Sequence, residues 1–134
     1  MTTDLETLLG DALDDEYKAE ATYAAVIARF GAVRPFINIV EAERRHAGAL
    51  LRQCERLGFL PRANRWASTV AAPATLREAC AEAIAAEVDN IALYDRLLPS
   101  VTDTEVRAVL ERLQEASRDR HLPAFRRCLA RQPS

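Results

Sequence analysis

The sequence predicts an all-α fold, a single four-helix bundle covering residues 1–134. Four long segments carry apolar residues at alternating steps of three and four, the spacing of one helix face. Capping residues, glycines and prolines punctuate them. No segment shows the β-branched alternation of a strand. A chain of 134 residues fits one domain with a core of ordinary size.

The first helix is expected over about residues 3–31. Thr3-Asp4-Leu5-Glu6 has the capping-box pattern, and Gly31 is a stop. Its inward seam is Leu9, Leu13, Glu16, Glu20, Tyr23, Ile27 and Phe30. The second is expected over about residues 35–57, with Pro35 in its first turn and Gly58 and Pro61 ending it. Phe36, Ile39 or Val40, Glu43, His46, Leu50, Cys54 and Leu57 face inward. Residues 58–73 hold Gly58, Pro61, Asn64, Ser68 and Pro73 and read as a long connection, anchored by Trp66.

Thr75-Leu76-Arg77-Glu78 is a second capping box and opens a third helix, expected over about residues 74–98. Leu76, Cys80, Ile84 or Ala83, Glu87, Ile91, Tyr94 and Leu97 face inward, and Pro99 ends it. Thr102-Asp103-Thr104-Glu105 is a third capping box, opening a helix over about residues 103–131. Its face is Val106, Leu110, Leu113, Ser117, His121, Phe125 and Cys128. Pro123 lies within it and cannot bond back to residue 119, so a kink is expected. Short, long and short links predict two helical hairpins joined by a crossover between helices 2 and 3.

Composition excludes several classes. Eighteen Lys+Arg against 20 Asp+Glu give a net charge of −2, with no basic patch for nucleic acid. No stretch approaches the roughly 20 apolar residues of a membrane span. The acidic start Met1-Thr2-Thr3-Asp4-Leu5-Glu6 lacks the pattern of a signal peptide. Cys54, Cys80 and Cys128 form no CxxC pair and no zinc spacing. They read as reduced thiols of a cytoplasmic protein. Neither a phosphate-binding glycine loop nor a G-x-S-x-G elbow occurs.

The informative residues interrupt the apolar seams. Glu16, Glu20, Glu43, His46, Glu87 and His121 fall on or beside inward faces, where a carboxylate is costly unless paired or bound to metal. Glu16, Glu43 with His46, and Glu87 lie near the midpoints of their helices, and His121 slightly beyond. Midpoints of antiparallel helices share one level, so these side chains are expected to converge. Glu43-Arg44-Arg45-His46 places a carboxylate and an imidazole three apart on one face. Such mixed ligation suits iron or manganese and tolerates zinc.

A weak repeat supports two facing copies of a hairpin. Tyr23 follows Glu16 by seven residues, and Tyr94 follows Glu87 by seven. Both rings read as core aromatics whose hydroxyls need a partner, and a ligand carboxylate is a natural one. Asn90, one turn from Glu87 and Tyr94, reads either as a hydrogen-bond donor to the ligands or as an ordinary interhelical contact.

With these residues in place, the chain resembles the ferritin-like, rubrerythrin-like di-iron carboxylate superfamily along nearly its whole length. The strings Glu16-Tyr17-Lys18-Ala19-Glu20-Ala21-Thr22-Tyr23, Glu43-Arg44-Arg45-His46 and His121-Leu122-Pro123-Ala124-Phe125 resemble a small bacterial ferritin-like family of poorly defined function. The superfamily site takes one Glu from each of two helices and a Glu-x-x-His from each of the other two. The resemblance implies Glu16 and Glu87 as the single carboxylates, and Glu43 with His46 as the first Glu-x-x-His.

The second Glu-x-x-His is broken, because Arg118 stands three residues before His121. Glu115 lies six residues before His121, roughly 600° around the helix, and points elsewhere. Asp119 is also misdirected. Arg118 is therefore expected to pair with Glu87, Glu20 or Glu43. Three states follow. Two metals bind if Arg118 swings out and Glu20 substitutes; one binds through Glu16, Glu43 and His46; or none binds and a buried salt-bridge network replaces it. Glu20 is weighed as an extra ligand, as the partner of Arg118, or as a solvated edge residue, with the second preferred.

The resemblance implies a metal-binding protein handling iron, peroxide or dioxygen, at most a ferroxidase- or peroxidase-like oxidoreductase. Iron would be the cofactor, with manganese or zinc as substitutes. Glu43 would bridge, Glu16 and His46 would hold one ion, and Glu87 and His121 the other. A fifth helix like that of cage-forming ferritins is not expected, and no CxxC electron-transfer centre occurs in the sequence, so redox cycling is expected to need an external electron donor. The alternative is a non-catalytic bundle in which Arg118 replaces the metal, serving as an interaction or structural module. A homodimer is compatible with the mixed surface charge.

Overall fold

The computed structural model describes residues 4–133. Helix α1 spans Leu5–Phe30, α2 Phe36–Leu57 and α3 Leu76–Leu97. A 3₁₀ turn, Leu98–Ser100, follows. The fourth rod of the bundle is composite: α4, Thr104–Ala116, a π turn, Ser117–His121, and α5, Leu122–Ala130. Helix α1 packs on α2, and α3 on α4, the π turn and α5; α1 also meets α3, and α2 meets α4. The expected four-helix bundle of two hairpins is therefore the observed architecture. Among the described residues no helix is long and apolar enough to cross a membrane.

Local chemistry sets the helix ends. Thr3, the expected first cap, lies outside the described residues, and Asp4 caps α1 by accepting from the Thr7 amide at 2.9 Å. Thr75 caps α3 as expected, accepting from the Glu78 amide at 3.1 Å. For α4 the cap is Asp103 rather than Thr102. Its carboxylate accepts from the amides of Glu105 (3.1 Å) and Val106 (3.0 Å), two donors that a hydroxyl would serve less well. Pro35 stands just before α2 rather than within its first turn. Gly58, at φ +74°, takes the left-handed conformation that ends α2.

The inner faces form two apolar clusters, one on each side of a polar layer. The first includes Leu9, Leu13, Leu50, Tyr94, Val106 and Leu110. The second includes Tyr23, Phe36, Val40, Cys80, Phe125 and Cys128. Along every rod the chain passes from one cluster to the other through a charged or imidazole-bearing residue. In the second cluster the rings of Tyr23, Phe36 and Phe125 pack with centroids 5.0–5.8 Å apart.

Pro123 lies in the first turn of α5. The helix widens into a π turn just before it, where the Leu122 amide donates to the Ser117 carbonyl five residues back. The extra residue absorbs the bond that proline cannot make. Cys80 and Cys128 are not free thiols but a disulfide joining α3 to α5, with Cα atoms 5.8 Å apart. The pairing spans 48 residues and is set by tertiary proximity, which local spacing does not encode. It removes the reduced-thiol argument for a cytoplasmic setting. Cys54 is free and buried.

The crossover lies along the outer face of α1. Arg65 grips Asp14 through two bonds of 2.9 and 3.0 Å, and the Trp66 indole donates to the same carboxylate at 3.0 Å. Arg62 bonds Asp11 at 3.0 Å. Lys18 and Arg65 sit over the Trp66 ring, 5.2 and 4.6 Å from its centroid. The Arg65 hydrogen bonds, joined by that of Trp66, hold Asp14 below the ordinary carboxylate range. Trp66 thus anchors the connection as expected. Asp14→Ala removes the shared acceptor and should make the 60–72 segment readily cleaved in limited proteolysis. The melting temperature should change little, since exposed ion pairs contribute about 0–1 kcal/mol. Unchanged protease resistance would count against this anchoring.

Candidate metal centre

Glu16, Glu43, Glu87 and His121 are almost fully buried in the layer between the two clusters. His46 joins them from α2, with 12% of its side chain exposed, and is the ligand candidate nearest solvent. The expected convergence of helix midpoints is therefore present. His46 Nδ1 lies 3.5 Å from Glu16 Oε2 and 3.9 Å from Glu43 Oε1. His121 Nδ1 lies 3.0 Å from Glu43 Oε1 and 3.2 Å from Glu87 Oε1, aligned as a hydrogen bond only with the latter. The two imidazoles stack at 5.5 Å with planes 15° apart.

These residues form two triads, Glu16–Glu43–His46 and Glu43–Glu87–His121. In each, one ligand atom per residue lies within 4.8 Å of the others. Glu43 belongs to both. Each triad offers two carboxylates and one imidazole, a donor set fit for a divalent ion.

The tyrosines cross-link the halves reciprocally. Tyr94 on α3 donates to Glu16 Oε1 on α1 at 2.5 Å, and Tyr23 on α1 donates to Glu87 Oε1 on α3 at 3.1 Å. Burial, then the neighbouring carboxylate charges, push both phenols well above their ordinary range, so both remain donors. Asn90 reaches Glu16 Oε1 at 3.5 Å and donates to Asp15 Oδ2 at 2.6 Å. Its carbonyl accepts from Ser117 at 2.9 Å. Asn90 thus joins α3 to α1, with its shorter bond to Asp15 and its longer one to the candidate ligand Glu16.

Sequence reasoning assigned no role to Asp15 or Ser117. The run Asp14-Asp15-Glu16 was the available signal for Asp15, because adjacent helix positions straddle the seam. Ser117 lay on the expected inward face, but its bond to Asn90 depends on the packing of α3 against the π turn.

Arg118 does not enter the site. Its side chain is 53% exposed and bonds Asp119 at 3.1 and 3.4 Å. The three-residue spacing to His121 places two groups on one face only in an α-helix, and here the intervening turn is π. The wider turn brings His121 and Ser117 inward and leaves Arg118 outside. Glu20 likewise bonds Arg44 at 3.0 Å on the surface rather than Arg118. Arg44 also contacts Glu41. The buried salt-bridge network therefore lacks its cation: among the described residues, the ion-pair partners of Glu16, Glu43 and Glu87 are histidines alone.

Three buried polar atoms consequently have no hydrogen-bond partner: Glu16 Oε2, Glu43 Oε1 and His46 Nδ1. All three belong to one triad. Buried polar atoms left unpaired cost about 1–3 kcal/mol each, and more when charged. Protons supply part of the neutralisation. Burial, joined by the charge of Glu16, pushes Glu43 well above the carboxylate range. Burial opposes ionisation of Glu16 too, but the close approach of Glu43 and His46, with the Tyr94 hydrogen bond, outweighs it and holds Glu16 low. Burial raises Asp15 from 3.8 to about 6, against the pull of its Asn90 bond.

These directions fix the pH dependence of the metal-free protein. Folded Asp15 and Glu43 keep protons that the unfolded chain has released, so a stability penalty appears above about pH 4. For Asp15 it grows until pH passes about 6, and for Glu43 it continues beyond. Glu16 acts oppositely, but its contribution is complete once pH exceeds its ordinary value of 4.5. The melting temperature of metal-stripped protein should therefore fall between pH 5 and pH 7, and Asp15→Asn should flatten the lower part of that slope. A rise over this interval would show that the carboxylates are ionised without penalty.

No protein-family model matches the chain, and no curated protein is significantly similar to it in sequence, so geometry and chemistry identify this cluster as a candidate metal centre.

Proposed function

We propose that this protein is a metal-binding bundle of the ferritin-like, rubrerythrin-like di-iron carboxylate kind, with a five-ligand site for two divalent ions. Glu16 and His46 would hold one ion, Glu87 and His121 the other, and Glu43 would be shared. The observation that carries this reading is the set of orphaned atoms, Glu16 Oε2, Glu43 Oε1 and His46 Nδ1, buried together with no hydrogen-bond partner and, among the described residues, with no lysine or arginine paired to them. A divalent ion is what an imidazole nitrogen and two carboxylate oxygens satisfy at once.

Bound as a ferrous pair, the metal would supply electrons for reducing peroxide or dioxygen, with an external donor completing the cycle; manganese or zinc are alternative occupants. The chain's own residues orient and insulate this site. Tyr94 and Asn90 hold Glu16 by Oε1 and leave Oε2 toward His46, whereas Tyr23 holds Glu87 by Oε1, the oxygen that also meets His121. The apolar clusters on both sides exclude bulk water. His46, the most exposed ligand candidate, marks the side from which an ion or a small oxidant would enter.

The test is elemental analysis after anaerobic ferrous loading, with melting temperature read alongside. Wild type should retain close to two ions per chain and melt higher when loaded. Saturation at 100 times Kd stabilises by about 2.7 kcal/mol. Glu43→Gln should hold at most one ion, yet its metal-free form should be no less stable than wild type, since it removes a buried acid. Loading near zero in wild type would refute the metal reading.

Arg118→Glu gives an independent check. Because Arg118 faces solvent, this substitution should leave stoichiometry and affinity unchanged. A tenfold gain in affinity would mean that the residue reaches the site after all.

A further inference from the structure

We infer that the Cys80–Cys128 disulfide is a clamp for one half of the metal centre, the half built from Glu87 and His121, so that its redox state sets whether the second ion is held. The inference rests on the metal reading above. Cys80 precedes Glu87 by seven residues on α3, and Cys128 follows His121 by seven on α5. Because the two rods run antiparallel, both offsets lead in the same direction. The bond therefore lies about 10 Å, two helical turns, beyond the Glu87–His121 pair.

On the opposite side of that pair, Ser117 donates to Asn90 at 2.9 Å, and Gln114 donates to the Ile91 carbonyl at 3.0 Å and to Asp95 at 2.8 Å. The Glu87–His121 contact is thus bracketed, by hydrogen bonds on one flank and by a covalent bond on the other. This matters most here because His121 ends a π turn, and relaxing that turn to ordinary α-helical pitch would rotate His121 about the rod. Ligands must be held to within about 0.5 Å for tight binding. The other half-site has no such dependence. Glu16 and His46 sit on the α1–α2 hairpin, which carries neither a disulfide nor a π turn.

Two electrons and two protons from an added dithiol break the Sγ–Sγ bond. This gives two thiols and converts the dithiol to its own disulfide. The released α5 then keeps its apolar packing through Phe125 but loses the covalent stop on its register. The Glu43–Glu87–His121 triad loosens while Glu16–Glu43–His46 stays intact. Cys80 and Cys128 are thereby positioning residues, and both are buried at 0 and 1% exposure, out of reach of any ion at the site's open side.

The experiment uses Mn²⁺, a hard ion with little affinity for thiols, read by bound metal per chain and by electron paramagnetic resonance. Oxidised wild type should bind two ions with the signal of an exchange-coupled pair. Dithiol-reduced wild type and Cys80→Ala/Cys128→Ala should bind one, with an isolated six-line signal, while helical circular dichroism is unchanged. Reoxidation of the wild type, but not of the double variant, should restore the second ion. Two coupled ions in the reduced protein would overturn the clamp while leaving the metal reading standing. Loss of helix on reduction would overturn it as well, because the bond would then hold the whole fold. Fewer than two ions in the oxidised protein would also overturn it, and none at all would take the metal reading with it.

Discussion

Three carboxylates meet at one level of this bundle, buried, within contact of two imidazoles and, among the described residues, paired with no lysine or arginine. Like charges in a poorly polarisable interior repel strongly, and the protein answers with hydrogen-bond donors and retained protons. The phenol of Tyr94 and the amide of Asn90 occupy Oε1 of Glu16 and leave Oε2 toward His46, while the phenol of Tyr23 shares Oε1 of Glu87 with His121. An interior evolved only for stability would fill this layer with apolar side chains, since replacing buried charge with hydrocarbon is commonly neutral or stabilising. The retention of unpaired acceptors at the meeting point of four rods is what a site for cations requires.

The remaining architecture follows from supporting that layer. The apolar clusters above and below fix the helices at spacings that keep the five side chains within reach of one another. The reciprocal tyrosine bonds let each hairpin orient a buried carboxylate of the other. The crossover spends its arginines and Trp66 on the outer face of α1, away from the centre. It therefore neutralises surface acids without offering a cation to the buried ones.

Helical periodicity made most of this legible. Every inward residue assigned to the fourth rod, from Val106 through His121 to Cys128, is buried. The five ligand candidates are brought together, because antiparallel midpoints coincide whatever the loop details. What escaped was what periodicity does not encode. Arg118 was placed inward by counting three residues back from His121, a rule that holds only at α-helical pitch. Glu20 was drawn toward that misplaced cation, although it lies at the seam's edge beside Arg44. The Cys80–Cys128 bond joins residues whose proximity arises only when α3 and α5 pack. Asp15 was passed over because its carboxylate acts sideways, through Asn90, rather than along the seam.

The π turn and the absent carboxylate at position 118 belong together. A glutamate there would face solvent as Arg118 does, so the turn that delivers His121 to the site also precludes a Glu-x-x-His on this rod. Two divalent ions carry four positive charges, and Glu16, Glu43 and Glu87 supply three negative ones when ionised. Asp15, bonded to Asn90 and through it to Glu16, is a fourth carboxylate one layer out. Placed there, it is too far out to ligate, but it would complete the charge of the two-ion centre proposed above. Its raised pKa in the metal-free protein is the expected counterpart: without cations, the least strongly held carboxylates keep their protons.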